Sequence, residues 1–586
     1  MVPRGSRTWP IGVASLGLLL AIDLLAQPGL PQTASSPAPC SDVPNKIKYA
    51  MYFMSKPQDA AECGMSVSDG RIVCASAITN PAMTCPDMFA WKLFADAVSQ
   101  EFWKGWAADQ YTWPANQVCS RDDPDCRPTN PLPLCGTPGA DPAACCHPDR
   151  RDNPGYDDPR YPAKYCPYFP GDHPGRHAST AGMPLHVGLD PFKAHLPGFG
   201  REASVRARLA EPDPGRRIRQ SMAELVFRNK AMFDYIFRHD LYNQEGLIAV
   251  FNRNRGNLDA REHGAPYRLK NTAGALAEID LPVSAIMLKT NWLNRERAER
   301  IGIREDPGRP YIKMTLLSPV TDDNGTILEP GEHWLVAMHI SSKDTPNWAW
   351  ATFEHVDNPG RCDYAGCNDS HGYRTADSVG PNQATNFTTP RLRCDGLLLP
   401  SWVFDTGQAY PSGAISDSLR RVFDALAIGT RNAVPGADGI LVPSRHDRGW
   451  LSYRLKGSQV QFTDSMGRPT RLGNSVTEGG FAQTSSCISC HARAGTTADG
   501  TIPPALGVFL NELSEVGYGQ SNYGIPVPDW YHRSNQPPAL MVLQTDFVWG
   551  FLFANRIQPV TPVPAPAPTP GPPAAPPKAP SSRQHR

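Results

Sequence analysis

The amino-acid sequence predicts a multidomain α+β protein: a loop-rich, disulfide-stapled N-terminal region, a mixed α+β central domain, and a small, mainly α-helical module near the far end. Three observations carry that prediction. Ten of the 15 cysteines lie between Cys40 and Cys166, in a stretch rich in Pro, Gly and Asp. Helix-period and strand-like apolar runs then follow one another irregularly from about residue 215 to 460, without the regular alternation of βαβ units. Last, Cys487, Ile488, Ser489, Cys490 and His491 spell C-x-x-C-H.

Residues 1–26 read as an export signal. Arg4 and Arg7 supply a basic start, and Ile11 to Ile22 form an apolar run too short to span a bilayer. Asp23 ends the run and Ala26 offers a small residue for cleavage. The alternative is an uncleaved anchor, because Leu24, Leu25 and Ala26 lengthen the apolar segment past the charge. No other stretch approaches the length of a membrane span, so the expectation is a soluble mature protein with no integral membrane anchor after signal cleavage.

The Cys-rich, loop-rich region, 40–200, has few long apolar runs from which to build a core. Disulfides are its expected means of holding shape, and they imply an oxidising compartment. Its best helix is Met88 to Trp106, with apolar residues recurring at three and four positions and aromatics on one stripe. That stripe reads as a buried face. Cys362 and Cys367 can close a small loop further on. Setting Cys487 and Cys490 aside leaves thirteen cysteines, an odd number, so at least one thiol is left out of any intramolecular pairing.

In the central domain, 215–460, Ser221 to Asp240 and Ser416 to Ala427 read as helices. Ser284 to Thr290, Tyr311 to Leu317, His333 to Ser341 and Trp348 to Glu354 read as strands, with an antiparallel sheet expected. Residues 461–558 carry the C-x-x-C-H motif, flanked by expected helices at Pro504 to Val516 and Ala539 to Asn555. Residues 560–586 are Pro- and Ala-rich and read as a disordered tail that cannot bury a core.

Lysine plus arginine and aspartate plus glutamate both number 57, so the formal charge is zero. This gives no electrostatic case for nucleic acid or for an anionic membrane surface.

The C-x-x-C-H motif points to chemistry. Two thiols three positions apart share one side of a helical turn, where each can join a vinyl group of a haem, and the next residue presents an imidazole to the iron. A shuffled chain of this composition would show the pattern roughly 0.01 times, so coincidence is a weak rival. Other readings are a Cys487–Cys490 disulfide, a thioredoxin-like redox pair, or half of a zinc site. The redox pair would follow a strand, whereas Gly473 to Ser486 is rich in Gly, Ser and Thr; zinc would need a second ligand pair close by. The haem reading makes Cys487 and Cys490 the thioether attachment points and His491 the proximal ligand to the haem iron.

An electron-transfer haem keeps Met or His on its other side. Met541, 50 residues beyond His491, is the tentative distal iron ligand, with His532 and Met466 next; a core role is the competing reading of Met541. Elsewhere, His339, Lys343, Glu354 and His355 lie among Trp334, Trp348 and Trp350. If His339 and His355 share a face they offer a metal site or an acid–base pair; otherwise they belong to a half-buried strand pair. Cys135 with Cys145, Cys146 and His147 imitates a haem motif at the wrong spacing and reads as disulfide material. No catalytic residue can be named.

From Ser485 to Gly495, S-S-C-I-S-C-H-A-R-A-G, the chain resembles the broad c-type cytochrome family, over about a sixth of its length. From Met338 to Asn358, M-H-I-S-S-K-D-T-P-N-W-A-W-A-T-F-E-H-V-D-N, it resembles segments of large exported bacterial proteins of unassigned function that end in one such motif. The first resemblance implies a cytochrome c-like module with one covalent haem c, maturation in the periplasm, and electron transfer with a redox partner protein or a small-molecule electron donor or acceptor. The second implies shared architecture and brings no activity with it. The leading expectation is a periplasmic or secreted c-type cytochrome. The alternatives are a haem-dependent oxidoreductase with a substrate site in the central domain, and a non-haem, disulfide-stabilised envelope binding protein.

Overall fold

The computed structural model describes residues 63–74, 78–114, 131–153, 166–173, 222–262, 275–316, 330–359, 415–463, 469–479, 485–501, 528–533 and 539–557, with a few shorter pieces. The segments 1–26 and 560–586, the pair Cys362 and Cys367, Met466 and the helix expected at Pro504 to Val516 lie outside them. The described residues combine helices with sheets in an α+β arrangement, as expected.

An antiparallel sheet of seven strands, the largest among the described residues, organises them. Its elements, in chain order, are α1 (Pro86–Ser99), β1 (Ala107–Ala108), β2 (Met222–Arg228), α2 (Lys230–Arg238), β3 (Ile286–Asn294), β4 (Lys313–Leu316), β5 (Gly331–Ser342), β6 (Ala349–His355), α3 (Asp417–Ala425) and β7 (Tyr453–Gln459). Across the sheet the order is β7, β6, β5, β3, β2, β1, with β4 also pairing with β5. All the ladders are antiparallel.

The Cys-rich region and the C-terminal part both build into this frame. α1 lies on β6 and β7, β1 lengthens the sheet beside β2, and one apolar cluster joins Trp113 and Cys166 to Trp350, Cys487 and Phe551. Three disulfides staple the N-terminal part: Cys63–Cys85, Cys135–Cys145 and Cys146–Cys166. The second of these accounts for the Cys135, Cys145, His147 grouping, whose two sulfurs are bonded to each other. Disulfides of this kind belong to oxidising compartments. Among the described residues no helix is long and apolar enough to cross a membrane.

Two expected helices differ from what is found. The run from Ser221 to Asp240 divides at Asn229, because Ala223, Leu225 and Phe227 alternate with Glu224 and Val226 and so take the strand period. Asn229 then accepts a hydrogen bond from the Met232 N–H and starts α2. The helix expected at Ala539 to Asn555 is absent. That stretch forms two short strands, Ala539–Leu540 and Leu543–Gln544, and a 3-10 turn at Trp549–Phe553. Leu543–Gln544 pairs with Gly495–Thr496, a tertiary contact that overrides the apolar periodicity. The only α-helix among the described residues of 461–558 is the five-residue α4 (Cys487–His491), so the mainly helical character expected there is not found in them.

The sheet has two unlike faces. On one, Leu225, Leu288, Met338, Ile340, Ala351, Phe353 and Leu455 are apolar and meet α1 and α3. There Phe353 sits 4.9 Å from Trp91 and 4.7 Å from Phe94, ring centre to ring centre. The opposite face carries polar and charged side chains.

Candidate functional site

Strand register alone lines up the polar face. Glu354, Ala337, Asn291 and Glu224 form one row across four strands, and Thr352, His339, Lys289 and Val226 form the next. Trp350, Ser341, Met287 and Arg228 form a third. Since side chains alternate along a strand, all three rows point to the same side.

Charges on this face are paired or hydrogen-bonded, as burial demands. Lys289 Nζ meets Glu224 Oε1 at 2.8 Å, and Lys456 Nζ meets Glu354 Oε1 at 3.0 Å with both side chains out of solvent. The segment 472–479 crosses above. The Ser475 N–H and Oγ–H both donate to Glu354 at 2.6 Å, Asn474 Nδ2 donates to Thr352 Oγ1, and Thr477 Oγ1 donates to Asn291 Oδ1. The same segment delivers Glu478, whose Oε2 lies 3.7 Å from His339 Nε2 and accepts from the Asn474 N–H. Burial pushes the Glu478 carboxyl up to about 7 and holds the His339 imidazole well below its usual range.

α4 is docked on the same face by β7. Gln459 Oε1 accepts from the Ile488 N–H at 3.0 Å while its Nε2 donates to Ser486 Oγ, so one strand side chain caps the first turn. Leu472 C=O accepts from Cys487 Sγ. Cys487 and Cys490 are not joined by a disulfide. Burial raises the Cys487 thiol well above its ordinary range.

His491 is held on two sides. Its ring lies 4.4 Å from that of Trp350 on β6, and Nδ1 lies 2.8 Å from the Phe547 carbonyl oxygen. A carbonyl can only accept, so Nδ1 carries the proton and the Nε2 lone pair is left for a metal. Burial lowers the imidazole to about 4, which keeps it in that neutral, ligating form.

The carbonyl of Phe547 is itself positioned. Asp546 and Phe547 both adopt positive φ, 47° and 66°, a conformation uncommon for residues other than glycine. Asp546 anchors this turn by accepting from Lys343 Nζ at 2.5 Å, Trp348 Nε1 at 3.2 Å and the Leu281 N–H at 2.7 Å. Lys343, Trp348 and Trp350 therefore act on His491, two of them through Asp546 and one by direct ring contact.

The residues singled out by sequence are thus only partly brought together. His339 and Glu354 lie on the site face, with Lys343 at its edge. His355 does not join them: its Nε2 faces the Arg309 and Pro310 carbonyls, its ring stacks on Tyr311, and burial lowers it to about 3. A shared metal or acid–base pair of His339 with His355 is excluded by that separation. Met541 sits in the turn between the two short strands, where its N–H donates to the Tyr531 carbonyl. His532 Nδ1 lies 3.0 Å from the Pro528 carbonyl oxygen at the surface.

Sequence reasoning missed Gln459, Glu478 and Asp546. Each is a lone polar residue whose partner lies on a distant element, so no local spacing signals it. Lys289 gives a signal only once the register of β3 against β5 is known.

The arrangement suits a covalently held haem. It offers two thiols on one helical turn, an imidazole with its metal-binding nitrogen left over, and aromatic walls at Trp350 and Phe547. In comparisons with known proteins the chain matches no protein-family model, no curated protein and no solved structure.

Proposed function

We propose that this chain is an exported c-type cytochrome, periplasmic or secreted, that binds one haem c covalently and transfers electrons with a redox partner protein or a small-molecule donor or acceptor. Cys487 and Cys490 are the attachment points and His491 the proximal ligand. The observation that carries this reading is the bond from His491 Nδ1 to the Phe547 carbonyl, 2.8 Å long, on the same turn as both thiols. A histidine ligand commonly uses its second nitrogen in this way, which fixes the ring and strengthens the ligating nitrogen.

When bound, the haem supplies one-electron redox chemistry. The chain supplies the rest: Gln459 docks the attachment helix, Trp350 and Phe547 flank the imidazole, and the Lys343, Trp348 and Asp546 contacts hold the carbonyl that orients it. The signal peptide expected at 1–26 and the disulfides favour export.

A haem-dependent oxidoreductase is the second reading. It is favoured by the ion pairs of the polar face, the half-buried Lys289 with Glu224 and the fully buried Lys456 with Glu354, on the side of the sheet where α4 is docked. Expression in a host that matures c-type cytochromes separates both readings from a haem-free binding protein. The expected product stays red after denaturation and solvent extraction; a colourless polypeptide after extraction rejects haem attachment.

A further inference from the structure

We infer that Glu478 is a redox-linked proton-binding site, its Oε2 taking up a proton toward His339 Nε2 when the haem proposed above is reduced and releasing it on oxidation. This deepens that reading and rests on it. The first ground is the pair itself. Glu478 Oε2 and His339 Nε2 face each other at 3.7 Å on side chains only 16 % and 18 % exposed, and Nε2 is shut off from solvent with no hydrogen-bond partner. A buried polar atom in that state is costly and calls for an explanation. With the imidazole in its Nδ1–H form, a proton on Oε2 gives Nε2 a donor after an approach of about 1 Å, and it removes a carboxylate charge that has no cation of its own. The other charged groups around Glu478 are engaged elsewhere: Lys289 on β3 with Glu224 on β2, Lys456 on β7 with Glu354 on β6, and His491 on α4 with the Phe547 carbonyl. Glu478 itself accepts only from the Asn474 N–H among the described residues.

The second ground is the link to the attachment helix. Glu478 ends the segment 472–479, whose other end holds α4: Leu472 pairs with Ser486 and its C=O accepts from Cys487 Sγ. Burial, and after it the Glu478 carboxylate, raise the Cys487 thiol, so the charge on Glu478 is felt at the attachment point. An electron arriving there therefore favours a proton on Glu478, and by reciprocity the proton favours the electron. Glu478 takes one proton from solvent as the site takes one electron from its redox partner, and the charge of the site is unchanged. Burial pushes the Glu478 carboxyl up to about 7, so this exchange falls in the neutral range. Burial and then Lys289 hold His339 well below its usual range, which leaves the imidazole neutral and the carboxyl as the group that titrates.

The test uses the full-length, matured protein. Redox-difference infrared spectra of the wild type, with and without isotope-labelled glutamate, should show a protonated carboxyl band that appears on reduction and moves with the label. Glu478→Gln should lack that band. Spectroelectrochemical titration should show the wild-type reduction potential falling as pH rises through neutrality, toward a tenfold change in the reduction equilibrium per pH unit, about 59 mV. Glu478→Gln, whose amide cannot titrate, should hold the potential level over the same range. A wild-type potential that is level across neutrality overturns the inference, as does a reduced form without the labelled carboxyl band. So does a slope that persists in Glu478→Gln, which would belong to the haem propionates or to other groups. Covalent haem present with any of these adverse results sinks the proton assignment alone; absence of covalent haem from the wild type sinks the function on which it rests.

Discussion

The two faces of the central sheet are made from the same strands yet solve opposite problems. Toward α1 and α3 the face is apolar and aromatic, and its cohesion is packing: Phe353 against Trp91 and Phe94, with Trp450 5.8 Å from Phe94. Toward α4 the residues at the alternate positions of the same strands are Asn291, Thr352 and Glu354, which are buried, and Glu224, Lys289 and His339, which are half-buried. Burying charges there sacrifices stability that apolar residues would supply, since replacing a buried ion pair by well-packed apolar groups is often neutral or stabilising. That polarity lies on the side of the sheet where Cys487, Cys490 and His491 are docked and belongs with the site proposed there, whereas the first face is held by packing.

The sharpest way to break this comparison is to damage each face in turn. Phe353→Ala should destabilise the protein by about 3–5 kcal/mol, through lost burial and the cavity left behind. Glu354→Ala should cost about as much, because it strands the buried Lys456 ammonium and removes the acceptor of Ser475. Denaturant unfolding reads both losses. They should separate spectroscopically: the haem spectrum of Phe353→Ala stays native, and that of Glu354→Ala shifts. The double variant Glu354→Leu with Lys456→Met should recover most of the lost stability.

A smaller effect comes from pH. Asp447, under the apolar face, accepts from the Gly449 N–H, and burial pushes its carboxyl up to about 6. The folded protein therefore holds this proton when the unfolded chain has released it. Its contribution to stability is complete below about pH 4, the ordinary carboxyl value, and is lost as pH rises through about 6, by on the order of 3 kcal/mol. Asp447→Asn should flatten that part of the stability profile; an unchanged slope assigns it to other groups. Smallest is Ser416→Ala. It removes the Oγ that accepts from the Leu419 N–H at the start of α3 and should cost about 1 kcal/mol, read as a small drop in melting temperature with no spectral change.

Much of the apolar face is legible in the sequence. The strand runs at Ser284 to Thr290, His333 to Ser341 and Trp348 to Glu354 all fall on observed strands, because alternation is a local property. Where β2 reads as helix, seven residues hold both patterns, and pairing with β3 settles the matter. The site is legible only at its thiols and imidazole. Its other parts come from register, which sets His339 beside Lys289, and from contacts spanning large sequence distances, such as Lys343 to Asp546. No period or short motif encodes such contacts, and the same applies to the pairing of Gly495–Thr496 with Leu543–Gln544 that displaces the expected helix around Met541.

Cys487 and Cys490 are proposed to hold a haem which His491 ligates. Intact-mass measurement of the mature protein, made in a host with cytochrome c maturation, tests it directly. The expected mass is that of the polypeptide plus one haem, and that of the polypeptide alone when both cysteines are replaced by alanine. A wild-type mass equal to the bare chain, with Cys487 and Cys490 joined as a disulfide, contradicts it.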